Sequence, residues 1–207
     1  GGVAFNCVVN GRILDRTPFE DIYVQPAAGD AGLAVGGALY VYHAVLGQPR
    51  TGFVMDHAYW GPEYPVARMK AALEAEGLSF EELSDDEMAT AAAQRIADGD
   101  VLGWYQGRSE WGPRALGNRS IVVDPRRSDM KDILNSRVKH REAFRPFSPS
   151  ILAERAGEWF ENDYPSPFMQ MTYQVREDKR DAIPAPTHVD GSGRLQTVTA
   201  EANPRYH

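Results

Sequence analysis

Cysteine and long apolar runs are nearly absent from this 207-residue chain. The single cysteine, Cys7, excludes an internal disulfide framework and a cysteine-rich zinc site, and we expect it to be a core residue within a strand. No run approaches the roughly 18 apolar residues that a membrane span requires, so no membrane contact is expected. A basic, then apolar signal-peptide pattern is also absent, and together these features predict a cytoplasmic location.

Several familiar catalytic motifs are absent too. The sequence contains neither a Gly-x-x-x-x-Gly-Lys-Ser/Thr phosphate loop nor a His-Glu-x-x-His metal motif, and its five histidines form no helical i, i+4 pair. Basic residues are outnumbered, giving a net charge of −7, yet the stretch from Arg108 to Arg145 holds ten Lys/Arg and five Asp/Glu. One basic stretch in an acidic chain indicates a local anion site and makes nucleic acid an improbable partner.

Helix and strand signals alternate along the chain, which predicts an α/β or α+β fold. We predict strands at 1–9, 19–24, 101–105, 120–123, 169–175 and 188–198, and helices at 33–46, 66–76, 84–97 and from Ser128 onward. Ser84 and Glu87 have the spacing of a capping box. Proline and glycine concentrate between residues 48 and 65, so a linker at 53–63 is predicted to separate 1–52 from 64–207.

The strongest chemical signal is the loop from Gln106 to Ser120. Arg108, Arg114 and Arg119 offer planar pairs of donors that match phosphate or carboxylate oxygens, and the glycines among them let backbone N–H groups approach an anion. A surface loop with solvated arginines is the alternative. Because a second cationic cluster follows, we favour the anion site.

That second cluster contains Lys139, Arg141 and Arg145, followed by a proline-stiffened segment that includes Ser148. A segment stiffened by proline is suited to a preorganised anion site. The alternative is that these cations only complement the dipole at the end of the preceding helix.

Two weaker signals are left with open interpretations. His188 could be an acid, a base, a phosphate donor or a core histidine, and Asp190 could be ordinary turn chemistry. Asp30 could hold a metal that bridges phosphates or could cap the following helix.

Taken together, these segments resemble one family, the ATP-dependent O-carbamoyltransferases that modify nodulation factors, cephems and aminoglycosides. The matching strings cover nearly the whole chain: GGVAFNCVVNGRIL, PAAGDAG, GRSEWGPRALGNRSIVVDPR, LNSRVKHREAFRPFSPSIL, SPFM and THVDGSGRLQTV. One departure is Gly193, where the family usually has alanine. The resemblance implies that 1–52 end an actin-like (ASKHA) carbamoyl-transfer domain. Residues 64–207 would then be an incomplete YrdC-like domain, a mixed twisted sheet with flanking helices.

The resemblance also implies the chemistry. ATP and carbamoyl phosphate would react to carbamoyl-adenylate, and the carbamoyl group would pass to a hydroxyl of a small-molecule acceptor such as a sugar or an antibiotic. The N-terminal half of the same protein would be a required partner and would share a divalent metal, Mg or Fe, with Asp30. We therefore expect this piece not to complete the reaction alone, and a homodimer is left open.

Individual roles follow from the same resemblance. Arg114, Asn118, Lys139 and Arg145 would be catalytic, with Asn118 orienting the carbamoyl group. The resemblance also implies contacts to each substrate. The residues implied to contact carbamoyl phosphate are Arg108, Arg114, Arg119, Arg141 and Arg145. The residues implied to contact the nucleotide are Gly1, Gly2, Asn6, Ser148, His188, Asp190 and Arg194. Replacing either Arg114 or Arg145 by alanine in the intact enzyme is predicted to abolish adenylate formation. The rival interpretations are a hydrogenase-maturation carbamoyltransferase and a nucleic-acid-binding YrdC-like module.

Overall fold

The computed structural model describes residues 1–207 as a mixture of helices and short strands. The helices are α1 (Cys7–Arg16), α2 (Leu33–Tyr40), α3 (Val66–Ala75), α4 (Asp85–Ala97), α5 (Met130–Ile133) and α6 (Ala156–Trp159). The strands are β1 (Leu102–Tyr105), β2 (Arg119–Val122), β3 (Ser150–Leu152), β4 (Thr172–Gln174), β5 (Ser192–Arg194) and β6 (Gln196–Val198). The predicted α/β class is therefore confirmed. No helix combines the length and apolar character needed to cross a membrane.

The strands form three separate pairs. β1 and β2 are antiparallel, β3 and β6 are parallel, and β4 and β5 are antiparallel. Strands 5 and 6 are separated only by the fully buried Leu195, so the chain passes directly from one pair into another. The specific resemblance to YrdC-like and actin-like folds, and the division into 1–52 and 64–207, stay predictions.

The predicted strand at 1–9 is wrong. Residues Gly2–Phe5 form a 3-10 turn and α1 begins at Cys7, with the Asn6 side chain accepting a hydrogen bond from the Val9 N–H at 3.1 Å. This N-cap satisfies a backbone donor that the helix start would otherwise leave unpaired, and it outweighs the β propensity of the neighbouring valines. Cys7 is therefore a half-buried helical residue and not a strand residue.

Other expectations are corrected in the same way. No strand forms at 19–24, and the segment 188–191 is a turn that precedes β5. Ser128 does not cap a helix. The N-cap residue is Asp129, α5 begins at Met130, and no side chain caps it. Both α2 and α5 continue as π-helical turns, Val41–Val45 and Leu134–Val138.

The N-terminal segment packs against the later part of the chain. The buried Asn10 amide donates to the carbonyls of Ala4 (2.7 Å) and Gln170 (3.0 Å), and Gln170 in turn donates to the Gln25 carbonyl at 2.9 Å. Gly11 lies so close to Thr172 that a methyl group at this position would overlap the Thr172 backbone. These contacts pack α1 against β4. Because β4 pairs with β5, where Thr172 lies opposite Arg194, α1 also lies near Arg194.

The capping box before α4 is confirmed. Ser84 accepts from the Glu87 N–H, and the Glu87 carboxylate accepts from the Ser84 N–H at 2.9 Å. We expect Ser84→Ala to lower the free energy of unfolding by about 1 kcal/mol, because the helix loses its side-chain cap. Urea denaturation measures the change. Ser79→Ala, an exposed position in the preceding loop, is the control and should have little effect; equal losses in both variants would contradict the capping role.

Candidate anion-binding site

A cleft of about 480 Å³ opens between the loop after β1, the segment around α5, and the end of β5. Five cationic side chains line it and no aspartate or glutamate does: Arg114, Lys131, Lys139, Arg141 and Arg194. In a chain with a net charge of −7, this segregation of positive charge favours an anionic ligand of small-molecule size.

Arg194 is one of the half-buried cations of the cleft. It is the last residue of β5, and its Nε donates to the Ser148 hydroxyl at 2.8 Å. Burial, together with the positive charges of Arg114 and Arg141, lowers the pKa of Arg194 to about 10. The guanidinium is therefore charged at neutral pH in surroundings that disfavour the charge. An anion in the cleft would offset that cost.

Arg114 projects into the cleft from the glycine-containing loop. Its buried Nε has no hydrogen-bond partner, and its guanidinium lies 5.9 Å from the centre of the Phe5 ring. A buried donor without a partner is costly unless a ligand completes it. Phe5 belongs to the N-terminal segment, so that segment lies beside this donor.

Glu110 holds that loop in shape. One carboxylate oxygen accepts from the backbone N–H groups of Leu116 (2.7 Å), Asn118 (2.9 Å) and Arg119 (3.2 Å). Sequence reasoning missed this residue. The available signal was a single carboxylate within an otherwise basic, glycine-rich loop, where an internal acceptor could collect several backbone donors.

Asn135 arranges the second cationic segment and was also missed. Its side-chain carbonyl accepts from Arg141 Nε at 2.7 Å, and its amide donates to the carbonyls of Ala143 (3.3 Å) and Arg145 (3.0 Å). The Arg141 guanidinium also lies 4.6 Å from the centre of the Phe147 ring. Asn135 is almost fully buried, so its contacts fix the direction of Arg141 in the cleft.

We expect Asn135→Ala to lower the free energy of unfolding by about 2 kcal/mol and, if an anion binds in the cleft, to weaken that binding about tenfold. The carbonyls of Ala143 and Arg145 would lose their donor, and Arg141 would lose the acceptor that orients it. Urea denaturation and calorimetric titration with inorganic phosphate measure the two effects. Ser136→Ala, on the exposed side of the same turn, is the control; a stable Asn135→Ala variant with undiminished binding would refute this role.

Several predicted residues lie elsewhere. Arg119 donates to the carbonyls of Gln106 (2.6 Å) and Gly107 (3.1 Å) and lies over the Tyr105 ring. Its guanidinium therefore binds the backbone of its own loop. Arg108 is exposed near Glu63, and Arg145 is exposed in an ion pair with Glu142 at 2.9 Å.

Asn118 lies in a buried amide network. Its side-chain oxygen accepts from Gln106 (2.9 Å) and Asn203 (2.8 Å), and its amide donates to the Arg108 carbonyl at 2.7 Å. The cleft thus gathers Arg114, Lys139, Arg141, Ser148 and Arg194 from the predicted set, whereas Arg108, Asn118, Arg119 and Arg145 do not line it. The predicted roles of all of them stay predictions.

His188 and Asp190 form a small network with Ser192. The Ser192 hydroxyl donates to the Asp190 carboxylate at 2.7 Å and lies 3.1 Å from His188 Nδ1. Burial lowers the pKa of His188, and hydrogen bonds from Ser192 lower the pKa of Asp190. Neither residue lines the cleft, although the charge of Arg194 also lowers the pKa of His188.

The residues predicted from the N-terminal motif are exposed. Gly1, Gly2 and Asn6 face solvent, and Asp30 begins a 3-10 turn at the surface. No group of three or more His, Cys, Asp or Glu side chains could hold a metal ion. Asp30 supplies a single carboxylate, which does not fit a metal site by itself, and its sharing of a metal with residues outside this sequence stays a prediction.

Comparison with known proteins identifies the family. The family model described as the carbamoyltransferase C-terminus matches residues 93–207, and the model of the carbamoyltransferase N-terminus matches residues 1–39. The chain belongs to the carbamoyltransferase family. The cationic segments on both sides of the cleft lie within the C-terminal match.

Individual relatives with high sequence identity are consistent with this family. The nodulation protein NolNO of Sinorhizobium fredii is 50% identical over the whole chain, which covers 31% of that relative. The nodulation protein NolO of Bradyrhizobium diazoefficiens is 48% identical, with 38% of its length covered. The 3'-hydroxymethylcephem-O-carbamoyltransferase of Streptomyces clavuligerus is 36% identical, with 37% covered. The chain thus spans about a third of the length of these carbamoyltransferase-family relatives.

Proposed function

We propose that this chain binds carbamoyl phosphate and ATP in its cationic cleft and serves a carbamoyltransferase that modifies a hydroxyl group. The observation that carries the proposal is the set of five cations around one cleft without a carboxylate. Two polyanionic substrates repel each other, so a site that holds both must neutralise their charge. The family membership supports carbamoyl phosphate as one of them.

The reaction would proceed through carbamoyl-adenylate. Carbamoyl phosphate, ATP and one water would give carbamoyl-adenylate, phosphate and pyrophosphate, and the acceptor hydroxyl would then take the carbamoyl group and release AMP. Arg114 and Arg194 would bind phosphate oxygens, while Lys131, Lys139 and Arg141 would offset the charge of the remaining phosphates. No protein nucleophile is needed in either step.

The acceptor hydroxyl belongs to a separate molecule. The name of the Streptomyces relative specifies a hydroxymethylcephem, so a hydroxyl on a small natural product is the acceptor class that we propose. Acceptor transfer would require the N-terminal part found in the longer relatives.

Calorimetric titration of the 207-residue chain tests the binding step. We expect saturable binding of carbamoyl phosphate and of ATP that weakens as salt is added, because the contacts are electrostatic. Absence of binding for both ligands would refute the proposal. Salt-sensitive binding of RNA in preference to both would instead favour the nucleic-acid-binding alternative.

A further inference from the structure

Three side-chain hydrogen bonds lead from the protein interior to the wall of the cleft. The buried Gln196 amide donates to the Leu116 carbonyl at 2.8 Å, so the Gln196 side-chain oxygen is the atom that faces Ser150. The Ser150 hydroxyl lies 3.0 Å from that oxygen, and Tyr206 Oη lies 3.1 Å from Ser150 Oγ. Ser150 and Tyr206 both line the cleft. The series of contacts therefore ends at a surface that a ligand would meet.

The number of protons in this series fixes the direction of each bond. The Gln196 oxygen can only accept, so the single Ser150 hydroxyl proton is donated to it. Ser150 Oγ must then accept from Tyr206, whose single proton is used in that bond. Burial raises the pKa of Tyr206, so the phenol keeps this proton at pH 7. The bond to Ser150 is the only hydrogen bond of Tyr206 Oη, so its lone pair can accept from a ligand.

The Tyr206 ring is held in place by its packing. A methyl group at Gly117 would overlap the ring, and the Gly117 φ of +102° is one that glycine adopts without strain, so glycine permits this close approach. The centre of the Trp104 ring lies 6.3 Å from the centre of the Tyr206 ring. Gly117 belongs to the same loop as Arg114, so one segment positions both the phenol and a cation of the cleft.

The pairing of β3 with β6 places this acceptor near Arg194. Ser150 lies opposite Gln196, and two residues earlier on each segment Arg194 Nε donates to Ser148 Oγ at 2.8 Å. Residues two apart in an extended segment point to the same side, so both contacts lie on one face. Two residues of extended chain span about 7 Å. A phosphate held by Arg194 would therefore have its neighbouring atoms within reach of Tyr206.

This spacing narrows the ligand. The cleft offers cations to phosphate oxygens and, beside them, a phenol oxygen that can accept, so it fits a phosphate with an N–H or O–H group close to phosphorus. In carbamoyl phosphate only an oxygen and a carbon separate phosphorus from the amino nitrogen, and a hydrogen bond of about 2.9 Å at each end completes the span. The ribose hydroxyls and the adenine amino group of ATP lie further from phosphorus.

We propose that Tyr206 Oη accepts a hydrogen bond from the amino group of carbamoyl phosphate, so that the cleft selects this ligand over acyl phosphates without an N–H. The inference rests on the proposed function, because it requires carbamoyl phosphate in the cleft. Tyr206 is a specificity-determining residue. Ser150 and Gln196 are positioning residues, since they take up the Tyr206 proton and leave its lone pair for the ligand.

Acetyl phosphate is the matched probe, since a methyl group replaces the amino group. Calorimetry on the 207-residue chain should show carbamoyl phosphate binding about tenfold more tightly than acetyl phosphate, because the methyl group leaves the phenol acceptor unpaired. Tyr206→Phe keeps the ring and removes only the oxygen, so the two affinities should become equal, mainly through weaker binding of carbamoyl phosphate. Tyr42→Phe, an exposed tyrosine in the π-helical turn after α2, is the control and should keep the preference.

Two variants of Ser150 test the positioning role. In Ser150→Ala the Tyr206 proton loses its acceptor and can turn towards the ligand, so the preference for carbamoyl phosphate should fall towards that of Tyr206→Phe. Ser150→Thr retains the hydroxyl and should restore the preference. Inorganic phosphate has no amino group and should bind all these variants as it binds the wild type. A preference that Ser150→Ala leaves intact, or that Ser150→Thr fails to restore, would contradict the positioning role.

The outcomes separate the two levels of the argument. Equal binding of carbamoyl phosphate and acetyl phosphate by the wild-type chain would overturn the role of Tyr206 without the need for a variant. An undiminished preference in Tyr206→Phe would also overturn that role, while the proposed function would stand. No binding of inorganic phosphate, carbamoyl phosphate or acetyl phosphate by the wild-type chain would overturn the proposed function, and the inference with it.

Discussion

Replacing Glu110 by alanine is expected to lower the free energy of unfolding by about 3 kcal/mol and to abolish measurable phosphate binding. The carboxylate accepts from three backbone N–H groups of one loop, and its loss leaves all three without their partner. Arg114 lies between Glu110 and Leu116 in sequence, so a relaxed loop would no longer aim it into the cleft. Urea denaturation and calorimetric titration measure the two effects.

Glu63→Ala is the matched control for this prediction. Glu63 is also a glutamate near the loop, but it is exposed and its carboxylate lies 3.9 Å from Arg108 Nε. An exposed pair at this distance contributes little, so its removal should change stability by less than about 0.5 kcal/mol. A Glu110→Ala variant as stable as Glu63→Ala would show that the loop does not depend on the three hydrogen bonds.

Arg194→Met is expected to weaken carbamoyl phosphate binding about 100-fold while leaving the free energy of unfolding unchanged or higher. A charge-assisted contact to phosphate is worth about 1.5–3 kcal/mol, and the cleft would also lose one of its five charges. Stability should not fall, because burial and two neighbouring cations disfavour the Arg194 charge, as its lowered pKa of about 10 indicates.

The opposite responses of binding and stability make this prediction specific. Arg137→Met, on the exposed side of the π-helical turn after α5, is the control and should retain binding. A variant Arg194→Met that binds carbamoyl phosphate normally would remove this residue from the site. An Arg194→Met variant that fails to fold would show that Arg194 stabilises the folded chain, which contradicts the expected unchanged or higher free energy of unfolding.

The structure also separates two arginines that the sequence treats as equals. Arg114 has a buried donor without a partner, whereas the exposed Arg145 pairs with Glu142. We therefore expect a larger loss of binding from Arg114→Ala than from Arg145→Ala.

Local rules explain where the sequence predicted the fold correctly. The capping box of Ser84 and Glu87 involves residues three apart, and the paired strands β1 and β2 lie on either side of one loop, so short-range patterns were sufficient. The start of the chain was predicted wrongly because the valines favour a strand. Its helix depends on the Asn6 cap and on packing against Thr172, which is distant in sequence.

The candidate site shows the same division. The density of arginines predicted an anion site, but sequence alone could not distinguish Arg119, whose guanidinium is occupied by backbone carbonyls, from Arg194, which faces the cleft. That difference depends on where the carbonyls lie in the folded loop. Glu110 was overlooked for a related reason. Its partners are backbone N–H groups, so its lone position among arginines and glycines was the only signal, and the partners themselves are defined by the folded loop.

A crystal structure of the 207-residue chain with bound carbamoyl phosphate is the most direct test of the central claim. We predict that its phosphate lies in the cleft, within hydrogen-bond distance of both Arg114 and Arg194, with the Arg114 Nε finding its partner there. A phosphate bound instead at Arg108 and Arg145, outside the cleft, would contradict the account.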